Sequence, residues 1–250
     1  MQFASPSRWS TSIWRGRSLL GVGLVAAVFL ATVGPAAAAT TKKTGKSAPE
    51  KAEPKIEEEA EAPAPSTPPA GSSPLAELKK SNAALKKLFQ KQPPSWSPES
   101  DAKRSEMRTI VSGFLDFAEL AHRALAKHWD AITPKQRAEF VSVLRDLIER
   151  NYTKQVHGQP NYDLRFEKES ISGSEATVSA VLHATNNGKK ITVSMEYLLL
   201  YKGNRWLVYD VVTDEQSMLE NYRAEFNKII TKESFEALLK RMKKRLEKTD

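Results

Sequence analysis

The chain contains no cysteine among its 250 residues. That excludes a disulfide framework, a thiolate nucleophile, a thiolate metal site and a lipid anchor carried on an N-terminal cysteine. Four histidines and 11 glycines are all it has of either type. From Thr40 onward no uncharged run is long enough to cross a bilayer. No GxSxG, HExxH, Walker or GxGxxG pattern occurs in the region after residue 74. Stability therefore has to come from an ordinary hydrophobic core, and catalysis has no local signature to start from.

The histidines offer little. His122 and His128 are six positions apart, about 240° around a helix, so they cannot chelate from one face. His157 falls at a helix end and His183 on the polar side of a strand. No metal ligands and no cofactor are assigned.

What is present begins with an address. Residues 1–39 carry Arg8, Arg15 and Arg17, an uncharged run from Leu19 to Val33, and small residues ending at Ala39, the layout of a secretory signal cleaved after Ala38 or Ala39. The uncharged stretch from Ser18 to Thr41 is also long enough to span a bilayer, so a retained anchor is the alternative. Without the signal, which holds three Arg and no acid, 35 basic residues face 30 acidic ones. On an exported chain that surplus favours anionic membrane surfaces or acidic partners, with no nucleic acid among them.

Residues 40–74 are almost wholly Ala, Pro, Glu, Lys, Ser and Thr, with Ile56 the single large apolar side chain, which predicts a disordered linker. Such a segment spans about 30–35 Å as a flexible coil and at most about 120 Å extended. A single domain is expected over residues 75–250, a length that suits one sizeable core.

Within that domain the hydrophobic period changes once. Leu78, Leu85, Leu88 and Phe89 form a helical stripe that ends before Pro93-Pro94; Ser97-Pro98-Glu99 opens a second helix carrying Met107, Ile110, Val111 and Phe114. Asp116 and Glu119 have capping-box spacing ahead of Phe117, Leu120, Ala121, Ala124, Leu125 and Trp129. Thr133 and Gln136 repeat the cap before Phe140, Val141, Leu144, Leu147, Ile148 and Tyr152. After Gly158 the period falls to two. Tyr162, Leu164 and Phe166 alternate with charge; Val178, Ala180, Leu182 and Ala184 alternate with polar residues; Asn186-Asn187-Gly188 turns into Ile191, Val193, Met195, Tyr197, Leu199 and Tyr201; and Lys202-Gly203-Asn204 turns into Arg205–Val212. Two helices close the chain, with Met218, Tyr222, Phe226 and Ile229 on one and Phe235, Leu238, Leu239, Met242 and Leu246 on the other.

The fold class expected is α+β: a twisted antiparallel meander of about four strands packed by about six helices, able to enclose an apolar cavity. Candidate acid residues are few. Asp116 and Glu119 serve as caps, and Asp210 is the acid to suspect should the chain be an enzyme. The basic run Arg241–Lys248 lies on the polar side of the last helix.

Two blocks carry a resemblance. Phe114-Leu115-Asp116-Phe117, Arg123, Leu125-Ala126, Trp129, Thr133-Pro134, Gln136-Arg137 and Phe140 form the first, with Ala126 where a glycine is usual. Tyr209-Asp210-Val211-Val212, then Ser217, Leu219, Asn221-Tyr222-Arg223 and Phe226 form the second, with Asp214-Glu215-Gln216 in place of a Glu-Gly-hydrophobic turn. Together they resemble the MlaC (toluene-tolerance auxiliary) family of periplasmic phospholipid-binding proteins over roughly residues 78–248. The resemblance implies a soluble, non-enzymatic periplasmic carrier that holds phospholipid by its acyl chains. It also implies two partners, an outer-membrane lipoprotein complex and an inner-membrane ABC transporter complex, and a role in outer-membrane lipid asymmetry. The expected lipid lining is Phe117, Leu120, Ala121, Leu125, Trp129, Phe140, Leu144, Val193, Met195, Tyr197, Val208, Val212, Tyr222 and Phe226. The layout is in part NTF2-like, which leaves an exported enzyme using Asp210, or a tethered envelope scaffold, as the other readings.

Overall fold

A computed structural model describes residues 64–89, 98–156, 162–186 and 189–247. The signal segment 1–39, the linker up to residue 63, Pro93-Pro94, Ser97, His157, Asn187-Gly188 and Lys248 lie outside the described residues, as do the side chains of Phe89 and Tyr152. Six helices and five strands follow in the order α1 (Pro74–Phe89), α2 (Pro98–Phe114), α3 (Phe117–Leu125), α4 (Pro134–Val156), β1 (Tyr162–Ser172), β2 (Glu175–Asn186), β3 (Lys189–Lys202), β4 (Arg205–Thr213), β5 (Gln216–Ser217), α5 (Met218–Lys232) and α6 (Phe235–Glu247), with one 3₁₀ turn at Ala126–His128. The α+β class is as the change of period predicts. The strands form one antiparallel sheet in sequence order, and the fifth, only two residues long, is too short to leave a periodic trace.

The register of the sheet sorts its side chains. Leu164, Leu182 and Val193 lie in one row, Ala180 and Met195 in the next, then Val178 with Tyr197 and Val211, and Ala176 with Leu199 and Val208. All of these are buried, whereas Ser194 and Glu196 between them are exposed. This inner face belongs to one continuous core with the apolar stripes of all six helices. Residues α1 through α6 thus bury the face that alternation selected, and each buried large side chain adds about 1.5–3 kcal/mol of transfer free energy.

Capping decides where the helices start. Thr133 and Gln136 make the full reciprocal box, Thr133 N donating to Gln136 Oε1 at 2.9 Å and Gln136 N to Thr133 Oγ1 at 3.3 Å. At α3 only half of the expected box forms: Glu119 N donates to Asp116 Oδ1 at 2.9 Å, but Asp116 N donates to Val208 O at 2.8 Å instead of to Glu119. Leu115 and Asp116 thereby extend the free edge of β4, and the Glu119 carboxylate turns to Arg123 at 2.7 Å. The second Asp116 oxygen accepts from buried Lys202 at 2.9 Å, tying α3 to the β3–β4 turn.

The folded unit also reaches back into the stretch read as linker. Ser66 N donates to Tyr201 O at 3.0 Å, Trp206 Nε1 to Ser72 Oγ at 2.8 Å, and Ser73 Oγ and Leu75 N to Glu169 Oε2 at 2.8 and 2.9 Å. Hydrogen bonds to distant residues hold a segment poor in large apolar side chains, which composition cannot reveal.

Candidate lipid-binding face

The expected lining residues separate into two groups that meet in the core. On the helices, Phe117, Leu120, Ala121 and Leu125 of α3 and Phe140 and Leu144 of α4 are buried. Phe140 meets Phe226 edge-on with centroids 5.4 Å apart, Phe235 lies 5.8 Å from Phe140, and Tyr222 stacks on Phe226 at 5.3 Å, so α4, α5 and α6 share one aromatic cluster. On the sheet, Val193, Met195, Tyr197 and Val208 occupy the inner face. Twelve of the fourteen residues belong to the one buried cluster.

Two residues depart from expectation. Trp129 is half-buried at the rim, where the His122 ring meets its edge at 5.2 Å and the Arg137 guanidinium lies 5.2 Å from the centroid of its ring. Val212 does not share the face of Val208. A register shift between Leu198 and Leu199 places Val212 opposite exposed Glu196 and puts Val211 opposite Tyr197. A bulge adds one residue to β4, which reverses the parity beyond it, so simple alternation from Val208 selects the wrong neighbour. Val211 replaces Val212 on the inner face.

Sequence reasoning left out β1 and β2 as lining elements, although their alternation had marked Leu164, Phe166, Val178, Ala180 and Leu182 as one face. Phe166 lies 6.0 Å from Tyr197.

Burial pushes the phenol of Tyr197 far above the usual tyrosine range, and that of Tyr222 as well. Tyr197 Oη lies 4.0 Å from Met195 Sδ. Thr213 Oγ1, on the residue paired with Met195, is buried without a hydrogen-bond partner.

The four buried polar or charged side chains among the described residues are Asp116, Glu149, Lys202 and Asp210. Asp116 and Lys202 pair with one another, and Glu149 accepts from Ser112 Oγ at 2.5 Å. Asp210, the candidate general base, accepts from Val211 N at 2.8 Å, Leu219 N at 2.9 Å and Ser217 Oγ at 2.6 Å. Its carboxylate is fully engaged in fixing the start of α5, where Ser217 is the N-cap accepting from Glu220 N at 3.0 Å. The Ser217–Asp210 contact is thus a cap, and no imidazole completes it: among the described histidines, His128 meets Asn227 Oδ1 at 3.0 Å and His183 meets Thr192 Oγ1 at 3.1 Å. No group of three or more His, Asp or Glu among the described residues is placed to hold a metal.

The two places where the chain departs from the resembling pattern by lacking glycine both lie at positive φ. Ala126 ends α3 at φ 45°, ψ −119°, its N–H returning to His122 O. Asp214 and Glu215, at φ 45° and 66°, form the two-residue turn between β4 and β5. Asp214 Oδ1 braces that turn by accepting from Ser194 N at 3.1 Å.

Comparison with known proteins agrees with this geometry. The chain is 26% identical over 144 residues to the intermembrane phospholipid transport system binding protein MlaC of Haemophilus influenzae, an alignment covering 54% of this chain and 66% of that protein, just under two thirds of its length. Its fold is similar to that of a phospholipid-binding protein from Ralstonia solanacearum solved in complex with a phospholipid, at TM-score 0.57 and 18% identity, covering 68% of this chain and 94% of the other. The sequence model of the family described as MlaC protein matches residues 79–244, from within α1 to within α6, and the chain belongs to that family.

Proposed function

We propose that this chain is a periplasmic phospholipid carrier that receives lipid by its acyl chains between the inner sheet face and the helices. In this reading it passes lipid between an outer-membrane lipoprotein complex and an inner-membrane ABC transporter complex, and so maintains outer-membrane lipid asymmetry. The observation that carries the reading is the inner face itself: strands β1 to β4 and six helices converge on one continuous apolar core in a chain of the MlaC family. Two acyl chains of about 30 CH₂ groups lose roughly 24 kcal/mol on exposure to water, at about 0.8 kcal/mol each, so a soluble carrier must enclose them. The alanines of β2, Ala176 and Ala180, keep bulk off the centre of that face.

Chemistry on the lipid is not part of the proposal, because the one acid suspected of it, Asp210, is committed to capping α5. Export follows from residues 1–39, with cleavage near Ala39. The test is to express residues 1–250 in a Gram-negative host, purify the periplasmic product natively, and identify bound lipid by native and extracted-lipid mass spectrometry. One phospholipid per protein, with an intact mass that begins near residue 40, is the expected result. A protein that emerges empty and cannot be loaded from vesicles overturns it.

A further inference from the structure

One end of the apolar inner face is closed by residues that family membership does not supply. The segment from Ser66 to Leu75 lies ahead of the matched residues 79–244. It is nevertheless fixed to the sheet: Ser66 N donates to Tyr201 O, Trp206 Nε1 to Ser72 Oγ, and Ser73 Oγ and Leu75 N both to Glu169 Oε2. A turn shapes it, Ser72 N returning to Pro69 O at 3.0 Å with Gly71 at φ 86°, the third turn position where glycine is favoured.

The anchors of this segment face inward. Trp206 pairs with Tyr201, two residues beyond the pair Leu199–Val208, and so shares the inner face with it. Glu169 lies opposite Val178, in the row of Tyr197 and Val211. A segment held by inward-facing Trp206 on β4 and inward-facing Glu169 on β1 crosses the inner side of the sheet over β3 and β2. Tyr201 and Trp206 meet edge to face at that end, their centroids 5.2 Å apart, and both are buried. Ile171, at the β1 end of the Leu199 row, lies outside this cover and is exposed. At the far end of the face the last row, Tyr162, Ala184 and Ile191, is only half-buried.

The closed end fixes a depth. From Val193, in the buried row nearest the far end, to Leu199, next to the aromatic pair, β3 advances about 20 Å at about 3.4 Å per residue. One leaflet of a bilayer offers an acyl chain about 15 Å of hydrocarbon, so an interior of this depth shelters an ordinary membrane chain with little to spare.

We infer that Tyr201, Trp206 and the segment 66–75 form a stopper at the Leu199 end of the inner face, and that this stopper sets the longest acyl chain the protein carries. The inference rests on the carrier reading and adds to it a limit of chain length. A bilayer already shelters every CH₂ group, so transfer from it is indifferent to length until the chain outgrows the interior. Each CH₂ left in water then lowers the preference about fourfold.

The test loads lipid-stripped protein from vesicles that hold equal amounts of phosphatidylglycerols with chains of about 14 to 22 carbons, spanning the ordinary membrane length. The bound species are read by extracted-lipid mass spectrometry. Wild type is expected to take the shorter members equally and to discriminate about fourfold per CH₂ beyond its limit. Leu199→Ala and Trp206→Leu each deepen the closed end and are expected to move the limit outward by about two CH₂ groups, close to the bulk removed; either one suffices where the other does not fold. Leu200→Ala truncates an equally buried leucine at the same depth, paired with Leu207 on the opposite face, and is expected to leave the limit in place. Absence of a limit in wild type, a limit that Leu199→Ala and Trp206→Leu do not move, or one that Leu200→Ala moves as far, overturns the stopper. Wild type that takes up no lipid of any length overturns the carrier reading itself, an outcome distinct from failure of the stopper alone.

Discussion

Replacing Ala126 by glycine is expected to stabilise the protein although it removes a methyl group. Ala126 sits at φ 45°, ψ −119°, well outside the small left-handed well that an L residue can occupy, whose ψ lies near +30° to +60°. Holding a non-glycine residue in such a region costs of order 1–3 kcal/mol. The side chain is exposed, so its loss sacrifices little packing. Against the relief stands the greater freedom of glycine in the unfolded chain, about 0.4–1 kcal/mol. The difference is a net gain of about 1 kcal/mol, which for a domain of this size raises Tm by about 2–4 °C. Thermal and urea unfolding of wild type and Ala126→Gly measure it directly, and the two should agree in sign without a change in m-value. Ala126→Val, which adds β-branching at the same backbone, is expected to move Tm the other way. The chain turns here by backbone geometry alone, since the Ala126 N–H still bonds His122 O in either variant. An unchanged or lowered Tm for Ala126→Gly would refute the claim that backbone strain explains the glycine usual at this position.

Glu215→Gly, at φ 66° in the β4–β5 turn, should give a smaller gain of the same sign that adds to the first in the double variant, read in the same unfolding assay. Asp116→Ala removes the α3 cap and strands buried Lys202 with only Glu119 at 3.8 Å, so a loss of about 3–5 kcal/mol is expected in urea; Asp116→Ala/Lys202→Met should recover a substantial part of it. Asp210→Asn is expected to cost about 1–2 kcal/mol of stability and to leave bound phospholipid per folded protein unchanged in native mass spectrometry, because the carboxylate serves to cap α5. Stability should decline at alkaline pH. Burial raises the Tyr197 and Tyr222 phenols above their unfolded value near 10, so the unfolded chain releases these protons first and holds fewer of them. The stabilisation is complete below pH 10 and falls by about 1.4 kcal/mol per pH unit per tyrosine above it, and Tyr197→Phe should flatten the unfolding profile by one such share.

Much of this molecule is legible without coordinates because its elements obey local rules. A period of 3.6 and then of 2, punctuated by Thr133-Pro134 and Gly203-Asn204, is enough to predict helices, a meander and an α+β fold, since backbone geometry alone decides which positions share a face. The same rules assign the caps at Thr133 and Asp116 and pick out most of the apolar face. The family follows from two blocks of residues whose order the chain keeps.

What the sequence could not decide are the events that depend on distant partners. The bulge in β4 substitutes Val211 for Val212 because register is set by pairing with β3. Asp116 gives its N–H to Val208 and its second oxygen to Lys202, 86 positions away, so the expected box forms only in half. The segment 64–73 joins the sheet through the Ser66 N–H and the hydroxyls of Ser72 and Ser73, whose distant partners leave no mark in composition. Asp210 is drawn into capping α5 once the start of that helix is brought onto it. Local periodicity determines which side chains are apolar neighbours along the chain; tertiary packing alone determines which polar groups find one another across it, because a hydrogen bond or ion pair between distant residues has no period to read.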